Sequence, residues 1–139
     1  MKLLFLDIDG VMTSDNGKLN KSFLYPFSDS CVQVLNEILR LNKVRVILTS
    51  SWRTVFDAEK QNQIFKENGV IQTPADQTKD IGYKHRSLEI KEYLQSRKVE
   101  SFVILDDMDI AGFADNFVKI DPKTGLTEGY IERINQILK

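Results

Sequence analysis

Residues 3–10 read Leu3-Leu4-Phe5-Leu6-Asp7-Ile8-Asp9-Gly10. An unbroken apolar run of this length suits a strand buried on both faces, as in a parallel sheet covered by helices. It ends in two acids and a glycine. Two later runs repeat the plan: Val44-Arg45-Val46-Ile47-Leu48 ends in Thr49-Ser50-Ser51, and Phe102-Val103-Ile104-Leu105 ends in Asp106-Asp107. Helical patterns separate these runs. Ser28 or Asp29 opens the first, which reaches about residue 41 with Val34, Leu35, Ile38, Leu39 and Leu41 as its apolar stripe. The second covers about 54–68 and is stopped by Gly69. The third covers about 85–97, with Leu88, Ile90, Tyr93 and Leu94 turned inward, and the last covers 128–138.

Shorter signals fill the gaps. Val70-Ile71 predicts a brief third strand, and Phe117–Ile120 a final one. Residues 11–28, with Asn16-Gly17 as a tight turn, and residues 73–83, with Pro74 and Gly82, are expected as loops. A short helical turn is expected near 110–114. Strand and helix patterns alternate throughout, which predicts an α/β fold: a three-layer, Rossmann-like parallel sheet with helices on both faces.

The chain has 139 residues and shows no repeat or linker, so one domain over residues 1–139 is expected. Its net charge of -1 exerts no whole-chain pull toward nucleic acid or anionic membrane, although a local basic patch is compatible with it. The single cysteine, Cys31, cannot form an internal disulfide and reads as a small core residue in a reducing compartment. The apolar start is too short for a signal peptide, and no run approaches a membrane span. A cytoplasmic location without membrane association is the expectation.

In open parallel sheets, ligands bind at the carboxyl ends of the strands. Asp7, Asp9, Thr49 to Ser51, Asp106 and Asp107 would gather there from distant parts of the sequence. Carboxylates crowded together repel, and each tends to hold a proton. A hard divalent cation relieves that repulsion. An oxygen donor set of this kind suits magnesium, which also binds substrate phosphate. Hydroxyls and free backbone N–H groups suit phosphate oxygens. Gly10 allows a sharp turn beside the site.

Asp7-Ile8-Asp9-Gly10-Val11, the hydroxyls after the second strand and Asp106-Asp107 resemble the first, second and fourth motifs of the haloacid dehalogenase (HAD) superfamily. The order of FLDIDGV, TSSWR, Arg86 ahead of Glu89-Ile90, ILDDMD and IDPKTGLT is similar to that of the small HAD domains associated with Swiss Army knife RNA repair proteins. The resemblance implies a magnesium-dependent phosphomonoester hydrolase. Asp7 would be its nucleophile, forming an aspartyl-phosphate, and Asp9 its general acid and base. Metal ligands would be the Asp7 carboxylate, the Asp9 backbone carbonyl, and Asp106 or Asp107. Ser50 would bind a phosphoryl oxygen, with Thr49 and Ser51 adjoining it as alternatives.

The third motif departs from the superfamily's lysine pattern. Lys84, His85 and Arg86 all lie at a plausible place, and the narrower family favours Arg86, with Lys84 second. Arg53 is a further candidate phosphate ligand, weighed equally against a solvated helix-start residue. Trp52 reads as core, His85 as surface, and Asp121 as part of a turn with Pro122 and Gly125. Neither gap that carries a cap in larger relatives has room for one. An open site admits a phosphorylated small molecule or a bulkier substrate such as a nucleic-acid end. The competing class is a non-catalytic phosphate- or nucleic-acid-binding module, which would have no use for a nucleophile and a proton donor at Asp7 and Asp9.

Overall fold

The computed structural model describes residues 1–15, 17–82 and 85–139. Among these residues five strands form one parallel sheet: β1 (Lys2–Leu6), β2 (Val44–Leu48), β3 (Asp76–Gln77), β4 (Ser101–Asp106) and β5 (Phe117–Lys119). Four α-helices accompany them: α1 (Asp29–Leu41), α2 (Ala58–Glu67), α3 (Arg86–Gln95) and α4 (Ile131–Leu138).

The apolar strand runs are explained by cover on both sides. Leu4, Leu6, Val46, Leu48, Val103 and Leu105 face one way, packing with Leu35 and Ile38 of α1, Ile64 and Phe65 of α2, and Ile134 of α4. Leu3, Phe5, Ile47 and Ile104 face the other way, onto Ile90 and Tyr93 of α3. The architecture is thus three layers, an α/β Rossmann-like fold.

Strand order is β3-β2-β1-β4-β5. The chain lays down β1, β2 and β3 in one direction, then returns to place β4 on the other side of β1. This reversal leaves a crevice at the carboxyl ends of β1 and β4, where doubly wound sheets bind ligands. The segments between β1 and α1 and between β3 and α3 hold no further strand or helix among the described residues, consistent with a domain that lacks a cap. No helix among the described residues is long and apolar enough to cross a membrane.

Several local expectations are corrected. The third strand is not Val70-Ile71 but Asp76–Gln77, inside the stretch expected as loop. Val70 is instead the apolar residue that closes α2. Its N–H donates to the Phe65 carbonyl at 3.0 Å, the Gly69 N–H donates to Lys66 at 3.1 Å, and Gly69 has a φ of 80°. These two bonds are those of a Schellman stop, whose apolar residue just past the helix packs back on it.

The helix expected from residue 54 is divided into a 3-10 turn, Ser51–Thr54, and α2. Asp57 starts α2 by accepting the Lys60 N–H at 2.9 Å. A 3-10 turn, Glu128–Tyr130, precedes α4 in the same way. Residues 110–114 form turns without a helix. Leu88 and Leu41, expected to face the core, are 49% and 56% exposed. Asn16 of the expected Asn16-Gly17 turn lies outside the described residues.

Candidate active site

Strand register places the first elements of the site. Leu6 of β1 pairs with Leu48 of β2 and with Leu105 of β4, so Asp7, Thr49 and Asp106 come next at one level of the sheet edge. Continuing hydrogen bonds hold them there: Asp7 N–H to Leu105 O and Thr49 N–H to Leu6 O, both 3.1 Å. Asp7 and Asp106 are buried, while Asp107 is half-buried. Each of the three offers a carboxylate oxygen within 4.8 Å of the other two.

Against these acids stands one guanidinium. Arg86 begins α3 and reaches across to donate to Asp106 Oδ2 at 2.6 Å, with Asp7 Oδ1 at 3.4 Å. Burial pushes the Asp7 carboxyl up to about 8, and the charges of Asp106 and Asp107 add to that while Arg86 pulls it back. Burial also raises Asp106, against the opposing pull of Arg86 and of the Met108 N–H. For Arg86 itself, burial works against the charged form, but Asp106 and Asp7 outweigh it and leave its pKa above the ordinary value. One arginine cannot neutralise three crowded carboxylates. The remaining negative charge and the all-oxygen donor set fit a hard divalent cation such as magnesium.

Gly10 makes room for this cluster. Its φ is 82°, and a Cβ built on it would lie 2.4 Å from Asp107 Oδ2. A side chain there would meet both backbone strain and the carboxylate that completes the group. Asp9 behaves differently from the other acids. Its side chain is exposed and accepts a hydrogen bond from the Tyr25 hydroxyl. The Asp9 carboxylate therefore stands apart from the three clustered acids that could hold a metal. The resemblance assigns its backbone carbonyl to that role. Burial, then the bond to Asp9, raises the Tyr25 hydroxyl above its ordinary range, so it remains a donor.

The hydroxyls after β2 occupy three different settings. Thr49 is buried and its Oγ1 has no hydrogen-bond partner. Ser50 is buried, and its Oγ accepts the Trp52 N–H at 3.2 Å, capping the 3-10 turn. That bond leaves the Ser50 hydroxyl proton available for donation. Ser51 is exposed and lines a cavity of about 650 Å³ beside the acids, together with Thr54, His85, Arg86, Asp106 and Met108. His85 is exposed, as expected. Lys84, the second candidate for the third motif, lies outside the described residues.

Arg53 is the main correction at the site. Its guanidinium is buried and spends its donors inside the protein: on the carbonyls of Thr78 at 2.9 Å, Thr49 and Ser50 at 2.7 Å and Lys79 at 3.4 Å, and on Glu89 Oε2 at 2.5 Å. None is left for a phosphate. Arg53 instead ties the loop after β2 to the loop after β3.

Sequence reasoning did not assign a role to Glu89. It is buried and also accepts the Ile81 N–H at 2.9 Å, with its other oxygen 4.0 Å from Arg86 Nε. The Arg86-x-x-Glu89 spacing, which puts both on one helix face, was the available signal. Tyr25 was also missed, and no local pattern announces it. Trp52 is core, packed edge-on with Phe56 at 5.2 Å and Tyr25 at 5.8 Å. Asp121 holds a turn, its carboxylate accepting the Lys123 N–H at 3.0 Å.

A doubly wound sheet with clustered aspartates at its reversal point fits a HAD-like domain, a class whose function is of the hydrolase type and which typically uses magnesium. A family model described as "HAD domain in Swiss Army Knife RNA repair proteins" matches residues 3–131, and the chain belongs to that family. Neither the curated proteins nor the solved structures gave a match.

Proposed function

We propose that this chain is a magnesium-dependent phosphomonoester hydrolase that works as one domain through an aspartyl-phosphate on Asp7. The observation that carries this reading is the unlike setting of two neighbouring acids. Asp7 is buried among Asp106, Asp107 and Arg86, whereas Asp9, two residues on, is exposed and kept apart by Tyr25. Two carboxylates held in unlike environments are suited to unlike roles.

In the first half-reaction an Asp7 oxygen attacks phosphorus, the bond to the leaving oxygen breaks, and Asp9 gives that oxygen its proton. In the second, water attacks phosphorus and loses a proton to Asp9. The bond to Asp7 breaks, and inorganic phosphate leaves. Ser50 donates to a phosphoryl oxygen, and Arg86 pairs with the phosphoryl charge while orienting Asp7 and Asp106. Magnesium, held by Asp7, Asp106, Asp107 and the Asp9 carbonyl, would shield the phosphate from the carboxylate that attacks it.

The capless site suits either a phosphorylated small molecule or the phosphate at a nucleic-acid end. The family's description, which refers to RNA repair proteins, favours testing RNA ends early. The deciding experiment is magnesium-dependent release of phosphate from para-nitrophenyl phosphate and from phosphorylated RNA ends, wild type beside Asp7→Asn. Release by the wild type, abolished by chelation and by the substitution, is expected. Absence of release from every substrate would replace this reading with that of a phosphate-binding module.

A further inference from the structure

We infer that Tyr25 is a positioning residue that holds the Asp9 carboxyl ready for proton transfer; the inference rests on the phosphatase reading above. Asp9 is exposed, and an exposed aspartate ordinarily samples several rotamers. Here the Tyr25 hydroxyl donates to its Oδ1 and selects one of them. A proton donor fixed in one geometry avoids the orientational cost of finding it in each turnover.

The tyrosine is itself held on three sides. Its ring meets Trp52, Phe56 and Phe27 edge-on, with centroids 5.8, 6.0 and 6.3 Å away. Its carbonyl accepts from Asn68 Nδ2 at 2.9 Å, and the N–H of Phe27 donates to Asn68 Oδ1 at 2.8 Å. One residue earlier, the Leu24 N–H donates to Glu67 Oε2 at 3.0 Å. The loop after β1 is thus fastened to the end of α2. The aromatic cluster and the α2 terminus set where the hydroxyl lies, and the hydroxyl sets where Asp9 lies.

A residue that acts through the proton donor should matter only where a proton is needed. Para-nitrophenolate leaves without protonation, whereas the alkoxide of benzyl phosphate does not. The test compares kcat/KM on these two substrates for wild type, Tyr25→Phe and Asp9→Asn, with magnesium present. Tyr25→Phe keeps the ring and its packing, and a thermal melt confirms that the variant is folded.

For Tyr25→Phe, kcat/KM on benzyl phosphate should fall about tenfold, a fraction of the loss in Asp9→Asn. On para-nitrophenyl phosphate it should change less than about twofold, while kcat falls because Asp9 must still deprotonate the water of the second step. Equal losses of kcat/KM on both substrates, or no loss on benzyl phosphate, would overturn the role of Tyr25 and leave the phosphatase reading standing. A wild type that releases phosphate from neither of these nor from phosphorylated RNA ends would overturn that reading, and this inference with it.

Discussion

The absence of a Cβ at residue 10 is what lets Asp107 approach Asp7 and Asp106. Replacing Gly10 by alanine puts a Cβ against the Asp107 carboxylate on a backbone of positive φ. The conformational penalty alone is about 1–2 kcal/mol. The expected outcome for Gly10→Ala is a destabilised protein that needs more magnesium for half-maximal protection, measured by thermal melts across a magnesium titration. Arg53 and Glu89 form the other residue-scale dependency. They are a buried ion pair, and removing either partner strands a charge, at a cost of about 3–5 kcal/mol. Arg53→Met and Glu89→Gln should each shift the urea midpoint far down. Combining them should cost less than their sum, since neither charge is then stranded. A phosphate-binding Arg53 would instead raise KM while leaving stability near that of the wild type.

At the scale of elements, the loop after β1 depends on one side chain at the end of α2. Asn68 accepts from Phe27 and donates to the carbonyls of Tyr25 and Ile64. Asn68→Ala leaves the Phe27 N–H without its partner, at a cost of about 1–3 kcal/mol. The amide of Phe27 should then exchange with deuterium faster, while those of β1 and β4 stay protected. The elements themselves were unequally legible in sequence. β1 and β4 carry uninterrupted apolar runs that could be read directly, and β2 departs from that pattern only at the exposed Arg45. β3 has two residues, both polar, and exists through register with Ile47 and Leu48 rather than any propensity of its own. Val70 carried a strand-like signal because an apolar residue after a helix-stopping glycine looks the same whether it enters a sheet or closes a helix. The acids of the site were legible because they end apolar strands. Arg53 was not, since sequence does not show whether a guanidinium will find carbonyls to bury against. The contact of Tyr25 with Asp9 depends on how a long loop folds back.

At the scale of the whole molecule, the crowded carboxylates link folding to pH and metal. Asp7 in an unfolded chain ionises near 3.8, and burial beside Asp106 pushes it up to about 8 in the folded protein. Between those values folding takes up a proton, so this group's contribution to stability is full at the acid end and is lost as pH rises toward 8. Metal-free protein should therefore melt at a lower temperature at pH 8 than at pH 5, and Asp7→Asn should flatten that slope. Magnesium competes with the proton for the same carboxylate, so its stabilisation should be larger at pH 8. The sheet that carries this site also has a consequence for association. Its borders are strands of two and three residues, β3 and β5, with Asp76 on one and Lys119 on the other. An extended segment of another chain laid along either border would find few backbone partners and would have to strip water from a charge. The long, apolar strands that favour runaway stacking are confined to the middle of the sheet. Growth into fibres from the native fold is thereby disfavoured at both margins.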